Sequence, residues 1–151
     1  MEEKRAKWSE VRAMYGQYKH TLDPKGRLFV PSKFREELGA SFYIAKAPDG
    51  CLAVYPEAEW KRVLDRFNAL PMSQARNMRV FLANVIKCEP DKQGRFLLPD
   101  SFREYAGIKQ EAVFLGQAGR AEIWSADRYA AEEEKYLTPE ALAAVMEELG
   151  F

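Results

Sequence analysis

The sequence predicts an α+β fold in which one small β-rich unit occurs twice in tandem, with helices between and after the copies. Three observations carry that reading. A 17-residue segment beginning at Asp23, DPKGRLFVPSKFREELG, returns at Asp91 as DKQGRFLLPDSFREYAG, with eight identical positions. Ordinary composition gives about one match by chance over such a length. Each copy sets turn residues against short apolar runs, the punctuation of strands. The stretches between and after the copies carry apolar residues at helical spacing.

Both copies carry the same elements in the same order. Asp23-Pro24-Lys25-Gly26 places Asp at i, Pro at i+1 and Gly at i+3, the preferences of a type I turn, and Asp91-Lys92-Gln93-Gly94 keeps both ends of that pattern. Leu28-Phe29-Val30 and Phe96-Leu97-Leu98 follow as short buried strands. Pro31 and Pro99 stop them, because proline cannot donate to a ladder. Ser32 and Asp100 are then expected to cap short helices, Lys33–Leu38 and Ser101–Ala106, with Gly39 and Gly107 closing them. A second strand pair completes each unit: Ser41–Ala45 with Cys51–Tyr55, and Ala112–Leu115 with Ala121–Trp124. Each unit therefore reads as hairpin, short helix, hairpin.

The helical stretches are equally explicit. Pro56 opens one that runs to Leu70, with Trp60, Val63, Leu64, Phe67 and Leu70 on one stripe. Ser73 is expected to cap a second, reaching about Ala83. The tail makes a last helix with Thr138 as N-cap and Pro139 at N1, and with Leu142, Val145, Met146 and Leu149 on one face. Packing onto the parent domain is the ordinary fate of such stripes, and burial against a neighbouring subunit is the other.

Composition narrows the function. The chain has 151 residues, of which 47% are apolar and 13% aromatic, enough for a packed core. The longest stretch without a formal charge, Phe67 to Ala75, spans nine residues, against about 20 for a membrane span. Glu2, Glu3, Lys4 and Arg5 are followed by no apolar signal-peptide region. Cys51 and Cys88 form no CxxC pair and read as reduced thiols of a cytosolic protein. His20 is the single histidine and reads as a strand residue before the first turn. With it alone there is no His-based triad or HExxH zinc site, and no GxSxG, P-loop or GxGxxG string occurs. The expectation is a protein that is not an enzyme and takes no metal, cofactor or small-molecule substrate.

Net charge is zero, with 23 basic and 23 acidic residues, which taken alone argues against a nucleic-acid partner. The distribution says otherwise. Residues 132–151 hold six glutamates against Lys135, a net of −5, so the remaining residues carry +5. Asp23 and Arg27, like Asp91 and Arg95, sit four apart across a tight turn, a DxxxR pattern. Two readings of that pattern stand side by side. The Asp can brace its own turn and pair with the Arg, or Lys25, Arg27, Lys92 and Arg95 can project into nucleic acid, lysine to phosphate and arginine to guanine.

The two DxxxR turns, the GRLFVPSKFREELG and GRFLLPDSFREYAG segments and the later AEIWSADRY resemble the MraZ family, regulators of the bacterial division and cell-wall gene cluster. The resemblance runs from about Met14 to Tyr136. It implies a SpoVT-AbrB-like fold, in which swapped hairpins from paired units make a small β-barrel. It also implies a ring-like homo-oligomer, binding to double-stranded DNA at repeated promoter elements, repression of the family's own cluster, and a cytoplasmic, nucleoid-associated location without membrane contact. On that resemblance the chain divides into an N-terminal extension (1–13), repeat 1 (16–60), a helical linker (61–83), repeat 2 (84–129) and an acidic helical tail (130–151). The extension and the helix after Tyr136 lie outside the pattern that carries the resemblance.

The expected DNA-binding residues are Lys19, Lys25, Arg27, Lys92 and Arg95, with Asp23 and Asp91 shaping the turns. Residues 16–39 carry a net charge of +2 and the equivalent 84–107 a net of 0, so the first repeat is expected to face the duplex, with Arg27 on a base and Lys25 on phosphate. An antitoxin-type module of the same fold and a ring scaffold that touches no nucleic acid are the competing readings.

Overall fold

The computed structural model describes residues 13–151; the expected N-terminal extension, apart from Ala13, lies outside the described residues. The strands are β1 (Gln17–Thr21), β2 (Arg27–Phe29), β3 (Phe42–Lys46), β4 (Leu52–Pro56), β5 (Val85–Cys88), β6 (Arg95–Leu97), β7 (Glu111–Gln117) and β8 (Arg120–Ser125). The helices are α1 (Arg35–Leu38), α2 (Glu57–Asn68), α3 (Met72–Ala75), α4 (Arg79–Ala83), α5 (Asp100–Ala106), α6 (Ala126–Tyr136) and α7 (Pro139–Leu149). The α+β class and the tandem repeat are both present.

Each repeat folds by lending a strand to the other. A six-stranded antiparallel sheet runs β1-β7-β8-β4-β3-β5. The hairpins β3–β4 and β7–β8 meet at its centre, where Leu52 faces Ile123 and Val54 faces Ala121. β1 of the first repeat then adds to β7 of the second, and β5 of the second to β3 of the first. β2 and β6 leave the sheet and pair with each other as a two-stranded ribbon.

The exchange is the one expected of swapped hairpins, but the barrel does not close. β1 and β2 are joined at their turn by Asp23 N–H donating to the Arg27 carbonyl at 3.0 Å, and β5 and β6 by the Asp91 N–H to Arg95 carbonyl bond at 2.9 Å. Beyond those rungs the strands diverge. β2 and β6 are three residues long, bounded by the turn glycine on one side and by Pro31 or Pro99 shortly after the other, so neither can extend a ladder back to the sheet edge.

Side-chain alternation sorts the sheet into two faces. Phe42, Ile44, Leu52, Val54, Ala112, Phe114 and Ile123 point to one face and pack with Leu28, Phe34, Phe96 and Phe102 into a core drawn from both repeats. Its rings link the repeats at both ends: Phe42 lies edge-on to Phe96 at 5.4 Å, Phe96 meets Phe114 of the same repeat at 6.1 Å, and Phe114 meets His20 at 6.2 Å. The opposite face carries a smaller cluster of Ala47, Cys51, Ala53, Val113, Leu115 and Trp124 under α6. Tyr43 and Tyr55 hold Trp60 of α2, at 5.3 and 5.6 Å. The layers are thus α2 and α6, then the sheet, then the ribbon with α1 and α5.

Several helix starts differ from expectation. α5 begins directly at Asp100, and a 3-10 turn at Ser32–Phe34 precedes α1; Pro31 and Pro99 occupy the caps and neither Ser32 nor Asp100 makes a capping bond. Asp100 instead faces Arg103 one turn on. Pro71, not Ser73, precedes α3, and a 3-10 turn at Arg76–Met78 separates α3 from α4. Thr138 caps α7 as expected, accepting from Ala141 N–H at 3.1 Å, with Pro139 following. The stripe on α2 is buried only at Trp60, and Leu142, Val145, Met146 and Leu149 of α7 stay exposed. Cys51 and Cys88 are unpaired and buried, their thiols pushed up to about 12 by desolvation.

Phe34 and Phe102, equivalent positions of the two copies, lie in one shared core at 1% and 4% exposure. Truncating either to Ala is expected to cost about 3–5 kcal/mol. Chemical denaturation should show one cooperative transition in both variants, since neither repeat retains a core of its own.

Candidate nucleic-acid interface

Turn chemistry makes the site. Gly26 and Gly94 sit at φ +80° and +84°, a left-handed conformation that a side chain disfavours. In the first turn one oxygen of Asp23 accepts from the Lys25 N–H at 2.9 Å and the Arg27 N–H at 2.8 Å. The other accepts from Arg27 Nε at 2.6 Å. The second turn repeats the pattern: Asp91 takes the Gln93 and Arg95 amides at 2.9 Å each, and Arg95 Nε at 2.8 Å. The bracing role suggested by the sequence is real at both turns. Backbone donation from Arg27 and Arg95, with their guanidinium groups, holds both carboxyl groups below their ordinary value of 3.8.

Because β2 and β6 are antiparallel, the two turns lie at opposite ends of one ribbon. Arg27 stands opposite Leu97, Leu28 opposite Phe96, and Phe29 opposite Arg95. Leu28 and Phe96 point into the core, so Arg27, Phe29, Arg95 and Leu97 share the outer face. Lys25 and Lys92 are exposed on the turns that flank this face. Lys19 is exposed on β1, in register with Val113, and belongs to neither turn.

Each turn is also clamped by the other repeat. Val30 N–H donates to the Gly94 carbonyl at 2.8 Å and Leu98 N–H to the Gly26 carbonyl at 3.0 Å. Arg35 lays its guanidinium against Gly94 and donates to the Gln93 carbonyl at 2.8 Å. A Cβ on Gly94 would stand 2.6 Å from Arg35 Nη2, and one on Gly26 would stand 2.5 Å from Arg103 Nη1. The crossing exchanges one arginine for another. Arg35, counted with the first repeat along the chain, serves the second turn in space, and Arg103 serves the first. That exchange leaves the contrast of +2 against 0 as it was, but both turns flank one face of the ribbon, so a partner there meets them together. Sequence reasoning missed this pair, although their identity in both copies, Phe-Arg-Glu at 34–36 and 102–104, was a visible signal.

The geometry has a counterpart in known proteins. The family model described as "MraZ protein, putative antitoxin-like" matches residues 13–80 and again 81–146. The chain belongs to the MraZ family. The chain is 46% identical over 123 residues to a transcriptional regulator MraZ of Heliobacterium modesticaldum, covering 80% of this chain and 86% of the relative. It is 50% identical over 113 residues to the one of Carboxydothermus hydrogenoformans, covering 73% and 79%. The one of Caldicellulosiruptor bescii is 44% identical over 141 residues, covering 91% and 99%. These MraZ relatives are named as regulators of transcription, and none of those names describes an enzyme. The second match extends to residue 146, so most of α7 falls within the MraZ pattern, further than the sequence resemblance reached. Among the described residues no helix is long and apolar enough to cross a membrane.

Two outcomes follow from the turns. An Asp whose carboxyl is depressed in the folded state adds its stabilisation above the ordinary value and loses it as pH falls through the folded one. Amide resonances of Lys25, Arg27, Gln93 and Arg95 should therefore hold steady from neutral pH to about pH 5 and shift at lower pH with a midpoint below 3.8. The clamp should act crosswise. Arg103→Ala should speed amide exchange around Gly26, and Arg35→Ala around Gly94, each at a cost to global stability of about 1 kcal/mol; a change confined to the mutated repeat's own turn would refute the crossing.

Proposed function

We propose that this chain is a sequence-specific DNA-binding transcription regulator that represses its own division and cell-wall gene cluster. The carrying observation is the pair of identical turns, each bracing an arginine on the outer face of one ribbon. Asp23 and Asp91 hold Arg27 and Arg95 by Nε, which leaves the Nη groups of each to engage guanine O6 and N7. Lys25 and Lys92 flank them as phosphate contacts; Lys19, in register with Val113, lies on the α6 side of the sheet and faces away from the ribbon. The names of the relatives support regulation of transcription. The protein acts in the cytoplasm, in association with the nucleoid.

A ring-like homo-oligomer on repeated promoter elements completes the reading. Its support within the chain is the apolar face of α7, where Leu142, Val145 and Met146 remain nearly half exposed (46%, 48% and 48%). Several copies on several DNA repeats raise overall affinity without any new contact.

Mobility shifts on DNA upstream of the chain's own coding sequence, at several salt concentrations, test the proposal. Arg27→Ala and Arg95→Ala should each cost about 1–3 kcal/mol per contact and relax sequence choice. Lys25→Ala should weaken all sequences alike and lower the salt slope by about one. Light scattering should give a mass above that of a dimer. A folded protein that retains no upstream fragment, or a monomer at micromolar concentration, would count against it.

A further inference from the structure

The ribbon carries more than its arginines. Phe29 and Leu97 lie on the same outer face, at 37% and 56% exposure, although their chain neighbours Leu28 and Val30, and Phe96 and Leu98, are buried. Two large apolar side chains interleaved with two arginines form a pseudo-symmetric surface: Arg27 opposite Leu97, Phe29 opposite Arg95. Bracing the arginines does not require these side chains to be apolar, because each Asp–Arg unit closes on its own turn. Nor does the core use them, since its members on and directly after these strands are Leu28, Val30, Phe96 and Leu98.

The dimensions and chemistry fit one partner. The major groove of B-DNA, about 12 Å wide, admits a two-stranded β-ribbon and displays guanine acceptors beside thymine methyl groups. Arg27 and Arg95 are diagonal neighbours across the ribbon, a spacing of about 7–8 Å that is close to two base-pair steps of about 3.4 Å. Lys25 and Lys92 at the two ends place positive charge where the phosphate walls of a groove would stand. We propose that the outer face of β2–β6 lies in the major groove and that Phe29 and Leu97 are specificity-determining residues, each seated against thymine methyl groups. This rests on the DNA-binding reading above. The arginines select guanine, and the apolar pair selects thymine at neighbouring positions.

Duplexes that the unaltered protein retains from its upstream DNA, prepared with thymine or with uracil in its place, probe the methyl groups directly. Uracil should weaken binding about three- to fivefold per lost methyl contact, the effect of burying one methyl-sized group. Phe29→Ala and Leu97→Ala, checked by thermal melting, should bind the thymine duplex more weakly and lose part of the thymine–uracil difference. The comparison on the unaltered protein decides the matter even if a variant fails to fold. Tight binding that ignores uracil substitution overturns the assignment while leaving the DNA-binding reading intact. So does a variant that changes the mass of the assembly yet keeps the full thymine–uracil difference, because the face is then a contact between copies. No retention of any upstream fragment overturns both.

Discussion

Leu28 and Phe96 face each other across the central rung of β2 and β6, and both are buried in the common core. Much else depends on that rung. A strand alternates its side chains, so a slip of one residue would turn this pair to solvent and drive Arg27 and Arg95 inward. Burying two guanidinium groups away from water is far costlier than any pairing available there. The core therefore pins the register, and the register places both arginines outside. The same register brings the glycine carbonyls of both turns to the amides of Val30 and Leu98, on either side of that rung.

Strand exchange explains why the two repeats share one chain. A unit that gives β1 to its neighbour and receives β5 in return has no complete sheet alone. Tethering the partners makes that pairing intramolecular, so its strength no longer depends on protein concentration. The tether is itself part of the packing. Phe81 of α4 lies 6.3 Å from Trp60, and Asn84 accepts from Lys46 Nζ at 3.0 Å. Arg128 ties the repeats a second time, donating to the carbonyls of Gly50 and Tyr105 at 2.8 and 2.9 Å.

What the sequence made legible was local. The duplicated segment showed the unit, the turn residues showed both DxxxR braces, and Thr138-Pro139 showed the start of α7 to the residue. What it hid was pairing at a distance. β1 meets β7 across 90 or more positions, and nothing in Gln17–Thr21 specifies which hairpin it joins. For the same reason Arg35 and Arg103 read as ordinary helix residues, because their partners Gly94 and Gly26 lie in the other copy. Ser32 and Asp100 misled in the opposite way. Both are good caps by type, but the preceding proline already holds the extended geometry of a cap, with ψ of 135° at Pro31 and 153° at Pro99, so the helices start on these residues.

The zero net charge, which seemed to oppose a nucleic-acid partner, is resolved by the layering of the fold. α6 carries Glu132, Glu133 and Glu134 and packs through Tyr129 onto Trp124, on the face of the sheet opposite the common core. The ribbon covers the other face through Leu28 and Phe96. A layer of sheet packed on each side by about 10 Å separates the two charge sets. At physiological salt, charges further apart than about 8 Å are largely screened in solvent. An approaching polyanion at the ribbon therefore meets Lys25, Arg27, Lys92 and Arg95 against Asp23 and Asp91, a local excess of two positive charges, while the acidic helix stands behind the sheet. A chain-wide sum hides that separation, since it adds two faces that no single partner meets together.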